Sequence, residues 1–161
     1  MNEPSELQKS LIEEATYLRG KILTSYAQVE FLLADLSVKL DLKFPYRIAD
    51  RIKAAKRISE RPGFETYKDE LAIVCDQLLE YDEIRNLMAH GFLMLVTDKL
   101  GNHRFDMRLY RRESEGKFNR LDIETSIVRL RATADHIVEY VRRAVTLFSK
   151  IYLEQKLEES K

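Results

Sequence analysis

The 161-residue chain has one cysteine, three prolines, five glycines and no tryptophan, and its 27 Lys and Arg are balanced by 27 Asp and Glu. A single cysteine excludes a disulfide framework and cysteine-ligated zinc within one chain. Cys75 lies in an apolar-periodic segment and reads as a buried, inert thiol. The scarcity of glycine and proline favours long helices. Zero net charge gives no whole-molecule attraction to nucleic acid, so any such attraction must come from local patches. No stretch approaches the ~18 apolar residues of a membrane span. Met1–Glu6 is acidic and lacks the apolar core of a signal peptide. These absences predict a cytoplasmic protein that does not enter a membrane. His90, His103 and His136 have no ligand spacing relative to one another or to carboxylates, so neither a metal site nor a cofactor is expected.

What is present is 45% hydrophobic and 34% charged, the composition of a chain that buries a core. Residues 1–161 read as one domain. Ser5, after Pro4, can cap a first long helix that runs to about Leu42. Leu7, Leu11, Leu18, Ile22, Tyr26, Val29, Leu33, Leu36 and Leu40 form its apolar stripe. Gly20 falls mid-helix, as a close approach or a break. Glu30 lies beside the stripe, either solvated or ion-paired, or backing Arg85. A shorter helix opens at Pro45 and continues through Tyr46, Ile48, Ile52, Ala55 and Ile58 to about Glu60. Around it, Lys39 to Arg57 holds seven Lys and Arg against two Asp. That run, with Lys53 and Lys56, is either a solvated face or a footprint for phosphates. After the turn at Arg61-Pro62-Gly63, a third helix runs from about Glu65 to His90, closed by Gly91.

The period then changes. Phe92 to Thr97 is a short apolar run, Asp98 to Asn102 is a turn, and His103 to Arg112 alternates. Phe105, Met107 and Leu109 fall on one face, with Arg104, Asp106, Arg108 and Tyr110 on the other. This predicts a β-hairpin insert over 92–112. A lone hairpin is marginal by itself, so Phe92, Leu93, Leu95, Phe105, Met107 and Leu109 are expected to lie partly on the helices. The insert resembles an RNA-gripping flap through Arg104, Arg108, Arg111 and Arg112, or equally a charged edge that blocks strand-to-strand aggregation. Asp122 can cap a last long helix, with a heptad stripe of Ile123, Ile127, Leu130, Ala134, Ile137, Val141, Ala144, Phe148 and Ile151. A polar tail follows from Glu154 to Lys161. The expected fold class is all-α: a helical bundle of two long and two shorter helices carrying a small β-hairpin.

Chemistry concentrates in Tyr81-Asp82-Glu83-Ile84-Arg85-Asn86-Leu87-Met88-Ala89-His90-Gly91-Phe92. At about 100° per residue, Arg85, Asn86 and His90 fall near 0°, 100° and 140° on a helical wheel, with Ile84, Leu87, Met88 and Tyr81 on the other side. Arginine grips phosphate oxygens with two donors. Histidine exchanges a proton near neutral pH. Asparagine orients an imidazole or a substrate hydroxyl. An Arg and a His without a set of carboxylates suit metal-independent RNA cleavage. A purely structural role, with His90 on its helix's last carbonyls and Arg85 paired to a carboxylate, is the competing reading.

Arg85-Asn86-Leu87-Met88-Ala89-His90 resembles the motif of the HEPN family (higher eukaryotes and prokaryotes nucleotide-binding), an Arg followed by four to six residues and a His. The resemblance implies an α-helical homodimer in which two copies of the motif meet in a cleft. Many such proteins are metal-independent endoribonucleases of toxin–antitoxin, abortive-infection or CRISPR systems. Others have lost catalysis and only bind RNA or nucleotides. The competing class is a non-catalytic helical dimer that binds a partner protein or a nucleotide. Carried over, His90 is general base or acid, Arg85 holds the scissile phosphate, and Asn86 orients. An antitoxin or other regulatory protein is a further implied partner. One branch has a tyrosine two residues after the histidine, the target of a nucleotidyltransferase antitoxin. Phe92 stands there in this chain, which argues against that form of control.

Overall fold

Ser5 and Gln8 start the first helix by capping each other. Ser5 Oγ accepts from the Gln8 amide at 3.2 Å, and Gln8 Oε1 accepts from the Ser5 amide at 2.8 Å, a reciprocal arrangement that satisfies two otherwise unpaired donors. The computed structural model describes residues 3–43, 45 and 47–157. Among them are helices α1 (Glu6–Lys39), α2 (Ile48–Lys56), α3 (Lys68–His90) and α4 (Ile127–Glu154). Two 3-10 turns, Arg57–Glu60 and Glu65–Tyr67, flank the loop between α2 and α3. Strands β1 (Phe92–Thr97), β2 (His103–Ser114) and β3 (Lys117–Thr125) form one antiparallel sheet in the order β1-β2-β3. The expected positions of Phe44 and Tyr46, and of the tail over 158–161, lie outside the described residues.

The all-α expectation is therefore corrected to a helix-dominated mixed fold with a three-stranded sheet. The hairpin of 92–112 is only part of it. β2 continues to Ser114, turns at Gly116 with φ +74, and pairs with β3 from Ser114↔Lys117 to Phe105↔Thr125. Asp122 lies within β3 and caps nothing. The cap of α4 is Ser126, whose Oγ accepts from the Arg129 amide at 3.2 Å. Ile123 is in phase with the heptad of α4, so its strand position is hidden in the periodicity. The second helix is also shorter than expected. Arg47 is extended (φ −76, ψ 135), and after Lys56 the chain tightens to 3-10 geometry.

The chain forms two compact units: Met1–Leu23 with Ile84–His136, and Thr24–Glu83 with Ile137–Lys161. In the first, Ala15, Leu18, Ile22, Leu87, Met88, Phe105, Met107, Leu130 and Ala134 are buried. Phe105 and Met107 come from one sheet face. Leu93, Leu95, Leu109, Leu121 and Ile123 lie on that face at the paired positions, half-buried. Phe92, expected with them, pairs with Arg108 on the opposite face and is exposed. Glu14 and Arg131 pair through both guanidinium donors, which holds the Glu14 carboxyl below its usual range.

The second unit is the more apolar. Val29, Leu33, Leu36, Ile58, Leu71, Leu78, Ile137, Phe148 and Ile151 are fully buried. Its buried tyrosines have polar partners for their hydroxyls. Tyr140 donates to the Val74 carbonyl at 2.9 Å and Tyr26 to the Leu78 carbonyl at 3.3 Å. Tyr67 donates to Glu154, and the half-buried Tyr152 donates to Asp35 at 2.7 Å. Cys75 is fully buried, and burial pushes its thiol up to about 12.

Candidate functional site

Arg85, Asn86 and His90 belong to the first unit, on the last two turns of α3. Leu87 and Met88 between them are buried and fix that side of the helix in the core. Arg85 and Asn86 are half-buried, and Arg85 Nη1 donates to Asn86 Oδ1 at 3.0 Å. The Nε of Arg85 is out of reach of solvent. His90, on the final turn, is exposed. The segment thus presents a held guanidinium and a solvent-facing imidazole on one helix end.

Two features close that end. Gly91 donates to the Leu87 carbonyl at 2.8 Å and ends the helix without a left-handed φ. A Cβ at Gly91 would overlap the Leu87 carbonyl oxygen, so close approach is what requires glycine here. Arg19 of α1 then covers the final carbonyls. Its Nε donates to the Met88 carbonyl and its Nη2 to that of Ala89 at 3.4 Å. A cation at a helix C-terminus offsets the negative end of the helix dipole. Sequence reasoning misses Arg19. Its signal is a charged residue four after Ala15 and three before Ile22, where Ala15, Leu18, Ile22 and Tyr26 around it are buried.

The basic candidates divide between the units. Lys53 and Lys56 lie on α2 in the second unit. Lys53 is exposed. Lys56 pairs with Asp76 at 2.6 Å, and that hydrogen bond holds its ammonium above the usual lysine value. Glu30, in the same unit, pairs with Arg51 at 3.6 Å. Arg104, Arg108, Arg111 and Arg112 are on β2 in the first unit. Arg104 meets Asp106 at 3.1 Å and Glu124 at 3.4 Å, which raises its already high pKa. Arg108 meets Asp122 at 3.5 Å and Asp106 at 4.0 Å. Arg112 Nε donates to the Ser114 carbonyl at 3.5 Å. Arg111 lies on the other face, opposite Asn119. Counted over all three strands, 92–125 holds seven Lys and Arg against six Asp and Glu. β3 supplies the acids Asp122 and Glu124, so the sheet as a whole is close to neutral.

His103 is half-buried, with Nδ1 2.9 Å from Thr97 Oγ1, which also accepts from Gln8 Nε2 at 3.2 Å. Among the described residues, no three His, Cys, Asp or Glu side chains are grouped to hold a metal ion. No helix among them is long and apolar enough to cross a membrane. In comparisons with protein-family models, with curated proteins and with solved structures, nothing matches this chain.

Proposed function

We propose that the chain is a HEPN-like, metal-independent endoribonuclease working as a homodimer in the cytoplasm, with Arg85, Asn86 and His90 at its reactive centre. One observation carries the reading: a guanidinium held by its neighbour's amide shares two helical turns with an exposed imidazole. A base takes the proton of a ribose 2′-hydroxyl, and the 2′-oxygen attacks the adjacent phosphorus. The bond from phosphorus to the 5′-oxygen breaks, and an acid delivers a proton to that oxygen. The products are a 2′,3′-cyclic phosphate and a 5′-hydroxyl. Arg85 stabilises the charge gathering on the phosphate oxygens, and Asn86 aims it. One chain offers one imidazole here, whereas the step uses both a base and an acid. A two-fold dimer supplies two of each. An antitoxin or regulatory protein would restrain such an activity.

The second reading is a non-catalytic module that binds RNA, a nucleotide or a protein. The half-buried Arg85–Asn86 bond favours it, because the pair then serves structure alone. Incubation with structured RNA in EDTA separates the two. Cleavage that survives chelation and falls by about 10²–10⁴ in His90→Ala, the size of a lost acid–base group, supports the enzyme, provided the melting temperature holds. Absence of cleavage across several RNAs supports the module. Full activity in a protein that runs as a monomer by light scattering removes the dimer.

A further inference from the structure

The open face of the sheet carries an aromatic ring opposite an arginine in each of three cross-strand rows. Phe92 on β1 faces Arg108 on β2, Tyr110 on β2 faces Arg120 on β3, and Arg112 on β2 faces Phe118 on β3. Directly paired residues point to the same side of a sheet, so all six share one face. The three rings are exposed, Phe92 at 64%, Tyr110 at 67% and Phe118 at 62%. From Tyr110 to Arg120 every residue is exposed, so β2 and β3 run beyond the core as a solvated arm.

Charge on this face is not uniform. Asp106, Asp122 and Glu124 lie toward the Phe92 end, where they engage Arg104 and Arg108. Arg120 also reaches Asp122, at 3.0 Å. Beyond that row the face holds Tyr110, Arg112, Phe118 and Arg120 and no carboxylate. Rings that lie open beside guanidinium groups match the two chemistries of a single nucleic-acid strand, flat bases to stack and phosphates to neutralise. A duplex keeps its base faces hidden and offers only the phosphates. From the Phe92 row to the Phe118 row is four residues of strand, roughly 13 Å at about 3.3 Å each, a platform for two or three bases.

We propose that this face binds single-stranded RNA, its bases stacked on Phe92, Tyr110 and Phe118 and its phosphates held by Arg112 and Arg120. The inference deepens the nuclease reading and rests on it for one point, that the strand is the substrate. His90 and Phe92 are separated only by Gly91, a chain span of at most about 7 Å, so a strand on the platform reaches the motif at its Phe92 end. Arg104, Arg108 and Arg120, tied to carboxylates, contribute less than Arg112.

The test uses the full-length His90→Ala chain, which binds without cutting, and a fluorescein-labelled 12-mer of oligouridine in EDTA, free or annealed to oligoadenine. Anisotropy titrations are run at two salt concentrations. The expected result is binding to the single strand at least ~10-fold tighter than to the duplex, and a further ~10-fold weakening in Tyr110→Ala/Phe118→Ala, the scale of one lost stacking contact. Arg112→Gln/Arg120→Gln lowers the salt slope by about 0.7 to 1.4, at ~0.7 per phosphate contact, the lower end if Arg120 stays on Asp122. All variants should keep their melting temperature, because the replaced side chains are exposed. Equal affinity for duplex and single strand overturns the proposal, as does unchanged binding in the aromatic variant. A change in oligomeric mass on removing the rings, with RNA binding unaltered, also overturns it and assigns the face to a second copy of the chain. The two readings fail separately. Binding that does not depend on the rings, with His90-dependent cleavage intact, sinks only the platform. Stacking without His90-dependent cleavage sinks only the nuclease.

Discussion

Arg85 holds Asn86: the Nη1 of the one donates to the Oδ1 of the other at 3.0 Å, on successive residues of the same helix. Adjacent helical residues point about 100° apart, so the bond pulls two diverging side chains together and occupies one arm of the guanidinium fork. Asn86→Asp keeps the shape and adds a negative charge, turning the bond into an ion pair. Cleavage should fall by ~10- to 100-fold, because the cation is neutralised where a phosphate would sit. Stability should hold or rise. Single-turnover cleavage and thermal melting of the same preparation check both halves. Unchanged cleavage would remove Arg85 from the proposed mechanism.

Gly91 is held by space rather than by dihedral angle. A methyl group there overlaps the Leu87 carbonyl oxygen, which also receives the Gly91 amide. Gly91→Ala must shift the last turn of α3, the turn that carries His90. A loss of more than ~1 kcal/mol is expected, a drop in melting temperature of at least ~2–4 °C for a chain of this size. Cleavage should fall further than that stability loss accounts for, because the imidazole moves with the turn. Melting and cleavage measured together distinguish displacement of His90 from simple unfolding.

Two exposed positions carry the wrong residue for their backbone. Gly20 lies inside α1, and a methyl group added there would meet nothing within 4 Å. Alanine there should stabilise by about 1 kcal/mol, by helix propensity and by restricting the unfolded chain. Asp41 ends the same helix at φ 53, with the Leu42 amide bonded to the Ser37 carbonyl and its own to that of Val38. That is the left-handed ending that glycine adopts without strain. Asp41→Gly should stabilise by ~1 kcal/mol. Urea denaturation of the two single variants and the double should give additive gains, since the two sites lie at the middle and the end of a long helix and share no partner.

Much of this architecture is legible in the residues, and the gaps have physical causes. The stripe from Leu18 to Leu40 and the cap at Ser5 specify α1, because period and capping chemistry agree there. Asp98 is equally clear. Its carboxylate accepts from Asn102 through side chain and amide and from the Leu100 amide, which lowers its pKa and closes the β1–β2 turn. β3 is hidden because Glu115-Gly116 is a weaker hairpin signal than Asn-Gly or Asp-Gly, and because Ile123 sits in register with the helix that follows. At the site, the motif can be read from spacing. The Arg85–Asn86 bond cannot, since neighbours on a helix do not ordinarily face each other. Arg19 acts through a contact 69 residues away in sequence, which no local pattern encodes.

Cys75 links the core to alkaline pH. Its side chain is fully buried, and burial pushes the thiol from 9.0 up to about 12. The nearby Lys56 ammonium opposes that rise without cancelling it. The folded chain therefore keeps this proton where the unfolded chain releases it. Stability from this source is fully present below about pH 9, declines as pH rises through the window to about 12, and is lost above it. Tyr140 shifts the same way, upward through burial, and steepens the decline. Cys75→Ala removes one of these contributions, leaving those of Tyr140, Tyr67 and Tyr152, which all shift upward. It should be less stable than the parent at pH 7, where the packed sulfur is missing, yet lose less stability between pH 9 and 11. Urea midpoints at pH 7, 9, 10 and 11 test this, alongside iodoacetamide labelling at pH 8, which should be slow in the native chain and fast in urea. Parallel pH profiles for the two proteins, or rapid native labelling, would mean that the thiol is not sealed in the core.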